Sequence, residues 1–159
     1  MFRSNFIPST SSSFSSKTVD FTKEFGKKLK FEIWDTAGQE KYKSMNKIFY
    51  KNADVCILVY DITRKDSFEV LKTIWINELK EKVKMDQVVV CMCANKIDLF
   101  EYQEVDDNMV KEFCQQNEYL FKETSAQNSS GIDVSNSFII FYRICFIVLL
   151  LDLLILSLM

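Results

Sequence analysis

Ala53-Asp54-Val55-Cys56-Ile57-Leu58-Val59-Tyr60 is an apolar run interrupted only near its start, and Gln87-Val88-Val89-Val90-Cys91-Met92-Cys93-Ala94 repeats the pattern farther on. Short runs of this kind, rich in β-branched residues and lacking polar alternation, belong to strands buried on both faces of a sheet. Between them, residues 66–85 place Phe68, Leu71, Ile74, Trp75 and Leu79 at helical spacing, with Lys and Glu on the opposite side. Residues 105–117 predict a second amphipathic helix, and residues 119–123 a third strand. Strands alternating with helices predict βαβ units and a mostly parallel sheet covered on both faces, a doubly wound α/β domain.

Upstream, residues 17–25 and 29–34 read as two strands joined by a Gly26-Lys27-Lys28 turn. In the second of these, Leu29, Phe31 and Ile33 alternate with Lys30 and Glu32, the period of a half-buried strand. Residues 40–49 predict a polar helix. Residues 1–16 are dominated by Ser, with Asn5 and Pro8, and read as irregular. The chain therefore divides into a Ser-rich segment 1–16, an α/β unit 17–137 and a hydrophobic segment 138–159.

With 159 residues, 48% of them hydrophobic, there is enough chain for one core. A net charge of −2 argues against nucleic acid as the main partner, because binding a phosphate backbone needs a basic surface. Histidine is absent, which excludes every His-based triad, relay or metal site. Five cysteines without a C-x-x-C pair read as free thiols of a reducing compartment, with Cys91 and Cys93 on one face of a strand. The amino terminus has no apolar stretch after Arg3 and does not read as a secretory signal, so the expected location is cytoplasmic.

Three short motifs each follow a predicted strand directly: Trp34-Asp35-Thr36-Ala37-Gly38-Gln39-Glu40, Asn95-Lys96-Ile97-Asp98 and Glu123-Thr124-Ser125-Ala126. Ligands of doubly wound sheets bind at the carboxyl ends of strands, so this placement raises the motifs above chance. Asn-Lys-x-Asp alone is commonly a solvated loop, and a lone Gln on a loop is ordinarily a surface residue. In this order the three motifs resemble the small GTPases of the Ras superfamily, most closely the Rab branch. Residues 32–40 together with Val59-Tyr60-Asp61-Ile62-Thr63 are similar to endosomal Rab proteins.

The resemblance implies a guanine site made by Asn95, Lys96, Asp98, Ser125 and Ala126. The carboxylate of Asp98 accepts from the N1 and N2 donors of guanine, which adenine lacks, while the aliphatic stem of Lys96 lies on the ring. Backbone N–H groups at Ser125-Ala126 contact the guanine carbonyl, and Gln127 stands where the family usually has Lys. Asp35 corresponds to the carboxylate that holds Mg²⁺ through water, Gly38 offers an N–H to the terminal phosphate, and Gln39 orients the attacking water. Ser9-Thr10-Ser11-Ser12-Ser13-Phe14 resembles the segment whose threonine reaches Mg²⁺, which makes Thr10 the candidate. A plain disordered serine tract is the competing reading there. GTP or GDP with Mg²⁺ are thus the implied ligands. Effectors, exchange factors and activating proteins are the implied partners, the last supplying an arginine finger at the cytoplasmic face of endosomal or other membranes.

One family element is missing: no G-x-x-x-x-G-K-[ST] occurs, and the three glycines, Gly26, Gly38 and Gly131, all fall elsewhere. That loop cradles the phosphates with backbone N–H groups and a lysine. By analogy the first strand, the phosphate loop and the first helix are absent. Losing about five charge-assisted contacts at roughly 1.5 to 3 kcal/mol each weakens even tight nucleotide binding to about millimolar or worse. The expected function is that of a truncated, poorly active Rab-like GTP-hydrolysis switch in vesicle trafficking. The alternatives are a non-catalytic module that binds partners through residues 40–49, or a non-functional gene fragment.

In residues 138–159, 18 of 22 are Ile, Leu, Phe, Val, Cys or Met, broken by Tyr142, Arg143, Asp152 and Ser157. A helix of that length can cross a hydrocarbon core of about 30 Å, so membrane insertion through 138–159 is one reading. The buried face of a last helix and read-through from a disrupted gene are the others. The terminal Leu158-Met159 carries no prenylation signal. A soluble reporter fused to residues 138–159 decides between them: resistance to carbonate extraction selects the anchor, and release selects the other two.

Overall fold

In chain order the elements are β1 (Ser13–Phe21), α1 (Thr22–Phe25), β2 (Lys27–Asp35), β3 (Val55–Asp61), α2 (Lys65–Val70), a π-helical turn (Leu71–Trp75), α3 (Ile76–Lys82), β4 (Val89–Asn95), a 3-10 helix (Ile97–Tyr102), α4 (Asp107–Gln116) and β5 (Leu120–Glu123). The computed structural model describes residues 13–25, 27–35, 50 and 53–131. Thr10, Gly38, Gln39, the helix expected at 40–49 and the segment 138–159 lie outside the described residues. Among the described residues no helix is long and apolar enough to cross a membrane.

Strand β4 lies between β3 and β5, parallel to both, as the alternation of strands and helices predicts. From Val90 onward it is buried throughout. Strand β3, equally apolar in sequence, is only half-buried at Val55, Cys56, Ile57 and Val59. The difference is positional, since β3 has a described partner along one edge only. One face of the sheet puts Leu58, Tyr60, Val90 and Met92 against Phe68, Leu71, Leu79, Val110 and Cys114. The other groups Cys91 and Cys93 with Val55, Ile57, Val59 and Leu120, which confirms that the two cysteines share a side. All four described cysteines are free thiols, and burial pushes Cys93 up to about 12 and Cys114 up to about 11. At neutral pH these thiols stay protonated and serve as small apolar packing groups.

Strands β1 and β2 form a separate antiparallel pair, and among the described residues β2 is not paired with β3. Phe31 and Ile33 are buried and Lys30 and Glu32 exposed, as the alternation predicts. Strand β1 begins at Ser13, inside the stretch read as irregular, because Ser13 to Ser16 find ladder partners in Asp35 to Glu32. Cross-strand pairing overrides the weak strand propensity of serine here. Phe14 packs across the pair against Trp34 with ring centroids 4.6 Å apart and the rings tilted by 49°. The first strand also ends earlier than expected, at Phe21, where the Asp20 carboxylate accepts from the Thr22 N–H at 2.9 Å and turns the chain into α1.

The helix expected over 66–85 is continuous from Lys65 to Lys82 but carries a π-helical turn in its middle. There the Ile76 N–H bonds the Leu71 carbonyl, five residues back. One residue is thereby added to a turn, and the apolar face slips by one position. Phe68, Leu71 and Leu79 are buried as the spacing predicts, but Ile76 is buried in the place expected of Trp75, which is half-buried. The second helix starts at a true cap: the Asp106 carboxylate accepts from the Asn108 N–H at 2.8 Å and the Met109 N–H at 3.2 Å. Val105 before the cap and Val110 one turn in are both buried, the arrangement of a hydrophobic staple.

Phe68 is fully enclosed beside Tyr60 and Phe113. Phe68→Ala is expected to lower unfolding stability by about 3 to 5 kcal/mol, and Asp106→Ala by about 1 kcal/mol, both read from urea denaturation.

Candidate functional site

The parallel register sets Asp61 opposite Asn95 and Ala94 opposite Glu123, so the carboxyl ends of β3, β4 and β5 come out along one edge. Three backbone bonds tie the outgoing loops together there. The Ile62 N–H donates to the Asn95 carbonyl at 3.1 Å, the Ile97 N–H to Thr124 at 3.2 Å, and the Thr124 N–H to Ala94 at 2.8 Å. The loops predicted to read guanine are therefore side by side.

Asp98 and Ser125, 27 residues apart in sequence, meet directly: the Ser125 hydroxyl donates to the Asp98 carboxylate. Ser125 is fully buried while Asp98 is half-buried, so the serine fixes the acid from behind and leaves part of it facing outward. The rest of the serine loop is held by its own backbone. The Ser125 N–H donates to the Ser130 carbonyl at 2.8 Å, and the Ser130 N–H to the Asn128 side chain at 2.9 Å. Gly131 closes the loop at φ +73, where an added Cβ would sit 2.0 Å from the Glu123 carbonyl oxygen. No residue with a side chain fits that approach. Of the two N–H groups expected to meet the guanine carbonyl, Ser125's is thus engaged within the loop. The Ala126 N–H is the one that has no partner among the described residues.

Lys96 sits at φ 68, ψ 36, in the left-handed region that a residue with a Cβ seldom adopts. Its ammonium lies 2.9 Å from the Asp61 carboxylate, whose side chain is 16% exposed against 45% for the lysine. The other oxygen of Asp61 accepts from the Thr63 N–H at 2.9 Å and the Thr63 hydroxyl at 2.7 Å. The Asp61 N–H in turn donates to the Ser67 hydroxyl at 3.1 Å. Burial pushes the Asp61 carboxyl up, but the hydrogen bonds from Lys96 and Thr63 and the lysine charge outweigh it and hold the group below the usual carboxylate range. Sequence reasoning did not assign Asp61 a role; the available signal was an acidic residue closing an apolar strand next to the one that bears the lysine.

Asn95 is buried, and its Oδ1 has no hydrogen-bond partner among the described residues. Asp35 ends β2 as predicted and is half-buried. Among the described residues no group of three or more carboxylate, His or Cys side chains is placed to hold a metal ion. A braced carboxylate acceptor, a neighbouring N–H and a lysine stem with its charge held to one side therefore lie together at this edge.

The Ras family model matches residues 1–145. This chain is a Rab-like member of the Ras family. It is similar to Ras-related protein Rab-17 of Mus musculus, 43% identical over 124 residues that cover 78% of this chain and 56% of that protein. Ras-related protein Rab-22A of Homo sapiens is 36% identical over 132 residues, 83% of this chain and 66% of that protein. The GTP-binding protein YPT52 of Saccharomyces cerevisiae is 36% identical over 124 residues, covering 65% of this chain and 53% of that protein. The Rab-like chain thus spans about half the length of the first relatives it matches.

Because the folded-state value of Asp61 lies below its unfolded one, near 3.9, the unfolded chain binds more protons between the two. The contribution of this residue to stability is complete above the ordinary carboxylate range and is lost as pH falls through the lowered value. In Asp61→Asn the acid limb of a urea-midpoint against pH profile is expected to be shallower than in wild type.

Proposed function

We propose that this Rab-like chain is a guanine-nucleotide-binding protein of vesicle trafficking, acting at the cytoplasmic face of membranes. The observation that carries the reading is the Asp98 carboxylate braced by Ser125 beside a lysine braced by Asp61, at the ends of adjacent parallel strands. In this reading Asp98 accepts from the two donors of the base, Lys96 covers its face, and the Ala126 N–H meets its carbonyl. Asn95 supplies the buried amide between the two loops. Exchange factors, activating proteins and effectors are the partners the reading calls for.

For GTP hydrolysis, Gln39 would orient the attacking water, the Gly38 N–H would meet the terminal phosphate, and Asp35 with Thr10 would hold Mg²⁺. The ion supplies charge neutralisation at the transferring phosphoryl group. Residues 1–159 contain no G-x-x-x-x-G-K-[ST], and a second reading is that these residues by themselves recognise the base without hydrolysing the nucleotide.

The two readings separate by calorimetry. Titration of this polypeptide with GTP and Mg²⁺ is expected to give an affinity of about millimolar or weaker, and turnover no faster than in buffer. A submicromolar dissociation constant overturns the base-only reading.

A further inference from the structure

Val59-Tyr60-Asp61-Ile62-Thr63 contributes a full set of contacts to the site without belonging to any of the three motifs. Asp61 reaches Lys96 at 2.9 Å, Ile62 donates to the Asn95 carbonyl at 3.1 Å, and the Ile62 carbonyl accepts the Glu104 and Val105 N–H groups at 2.9 and 3.2 Å. These bonds fasten both ends of the loop that carries Asn95, Lys96 and Asp98. Lys96 needs such fastening more than its neighbours, since its backbone is in the left-handed region and its side chain is nearly half exposed. A free lysine at that exposure samples many rotamers, each of which withdraws its stem from the place where a planar base would lie.

We propose that Asp61 is the positioning residue of the base site: it captures the Lys96 ammonium and so holds the lysine stem as a preformed floor for guanine. The role rests on the guanine reading given above. Asp61 touches no ligand itself and acts through Lys96 alone. Thr63 and Ser67 set the acid in turn, with two bonds on its free oxygen from one and a backbone bond to the other. Holding the ammonium to one side also keeps the charge off the ring face, so the stem offers aliphatic surface to the base.

The test uses the full chain and guanosine monophosphate, with adenosine monophosphate as the control. The two share their phosphate, so the difference in affinity reports the base. Binding is followed by amide shift perturbation in nuclear magnetic resonance for wild type, Asp61→Asn, Lys96→Met and the double variant. Asp61→Asn is expected to weaken guanosine monophosphate by about tenfold, the scale of one charge-assisted hydrogen bond, with the adenosine control unchanged. In the Lys96→Met background the same substitution is expected to have no further effect on affinity. Two readouts keep this distinct from a loss of fold: the urea midpoint of each variant, and the Asp61 carboxyl resonance, which should titrate higher once Lys96 is gone. Equal weakening by Asp61→Asn with and without Lys96 overturns the positioning role, as does equal affinity of wild type and Asp61→Asn. No preference for guanosine over adenosine monophosphate in wild type overturns the base-site reading itself.

Discussion

Everything at the functional edge depends on the parallel pairing of β3, β4 and β5. Their backbone hydrogen bonds are formed in a buried, apolar setting where an unmade bond is expensive, so the register is not free to slide. A fixed register means that the three strands end together, with Asp61 level with Asn95 and Ala94 with Glu123. Residues far apart in sequence are thereby delivered to one line, and only short loops are needed to bring their side chains into contact.

Those loops are tied to one another and to themselves through several of their polar groups. Ser125 is used three times, its N–H closing its own loop, its hydroxyl bracing Asp98 and accepting from the Asn128 N–H at 3.4 Å. Lys96 accepts a left-handed backbone, a conformation that costs of order 1 to 3 kcal/mol and persists only where the surroundings enforce it. The bonds from Ile62 to Asn95 and from Ile97 to Thr124 on either side of it, with the Asp61 ion pair, are that enforcement. Strain and clamp together place a flexible cation in one position.

The opposite face of the sheet answers to a different constraint. Its helix must bury Phe68, Leu71, Ile76 and Leu79 along one line, and an unbroken 3.6-residue repeat does not do this. The π-helical turn supplies the missing residue, which is why Ile76 is fully buried while Trp75 packs against the core only in part. Aromatic packing of Tyr60, Phe68, Phe113 and Tyr119 then joins the helices to the strand that ends in Asp61, so the core and the site share an element.

The sequence by itself determined the three parallel strands with the two helices between them, and the positions of Asp35, Asn95, Lys96, Asp98 and Ser125 at or just after strand ends. It could do so because hydrophobic periodicity and short motifs are local patterns. It also specified that Cys91 and Cys93 share a face, since strand alternation leaves no choice. Tertiary structure alone decided that β1 extends back to Ser13, because only the ladder opposite could recruit serines into a strand. It alone decided that β3 is half-buried and β4 fully so, because burial depends on how many neighbours a strand has and not on its own residues. The pairing of Asp61 with Lys96 and of Ser125 with Asp98 belongs to the same class. Each joins residues separated by dozens of positions, and a contact of that kind exists only after the sheet has brought the strand ends into line.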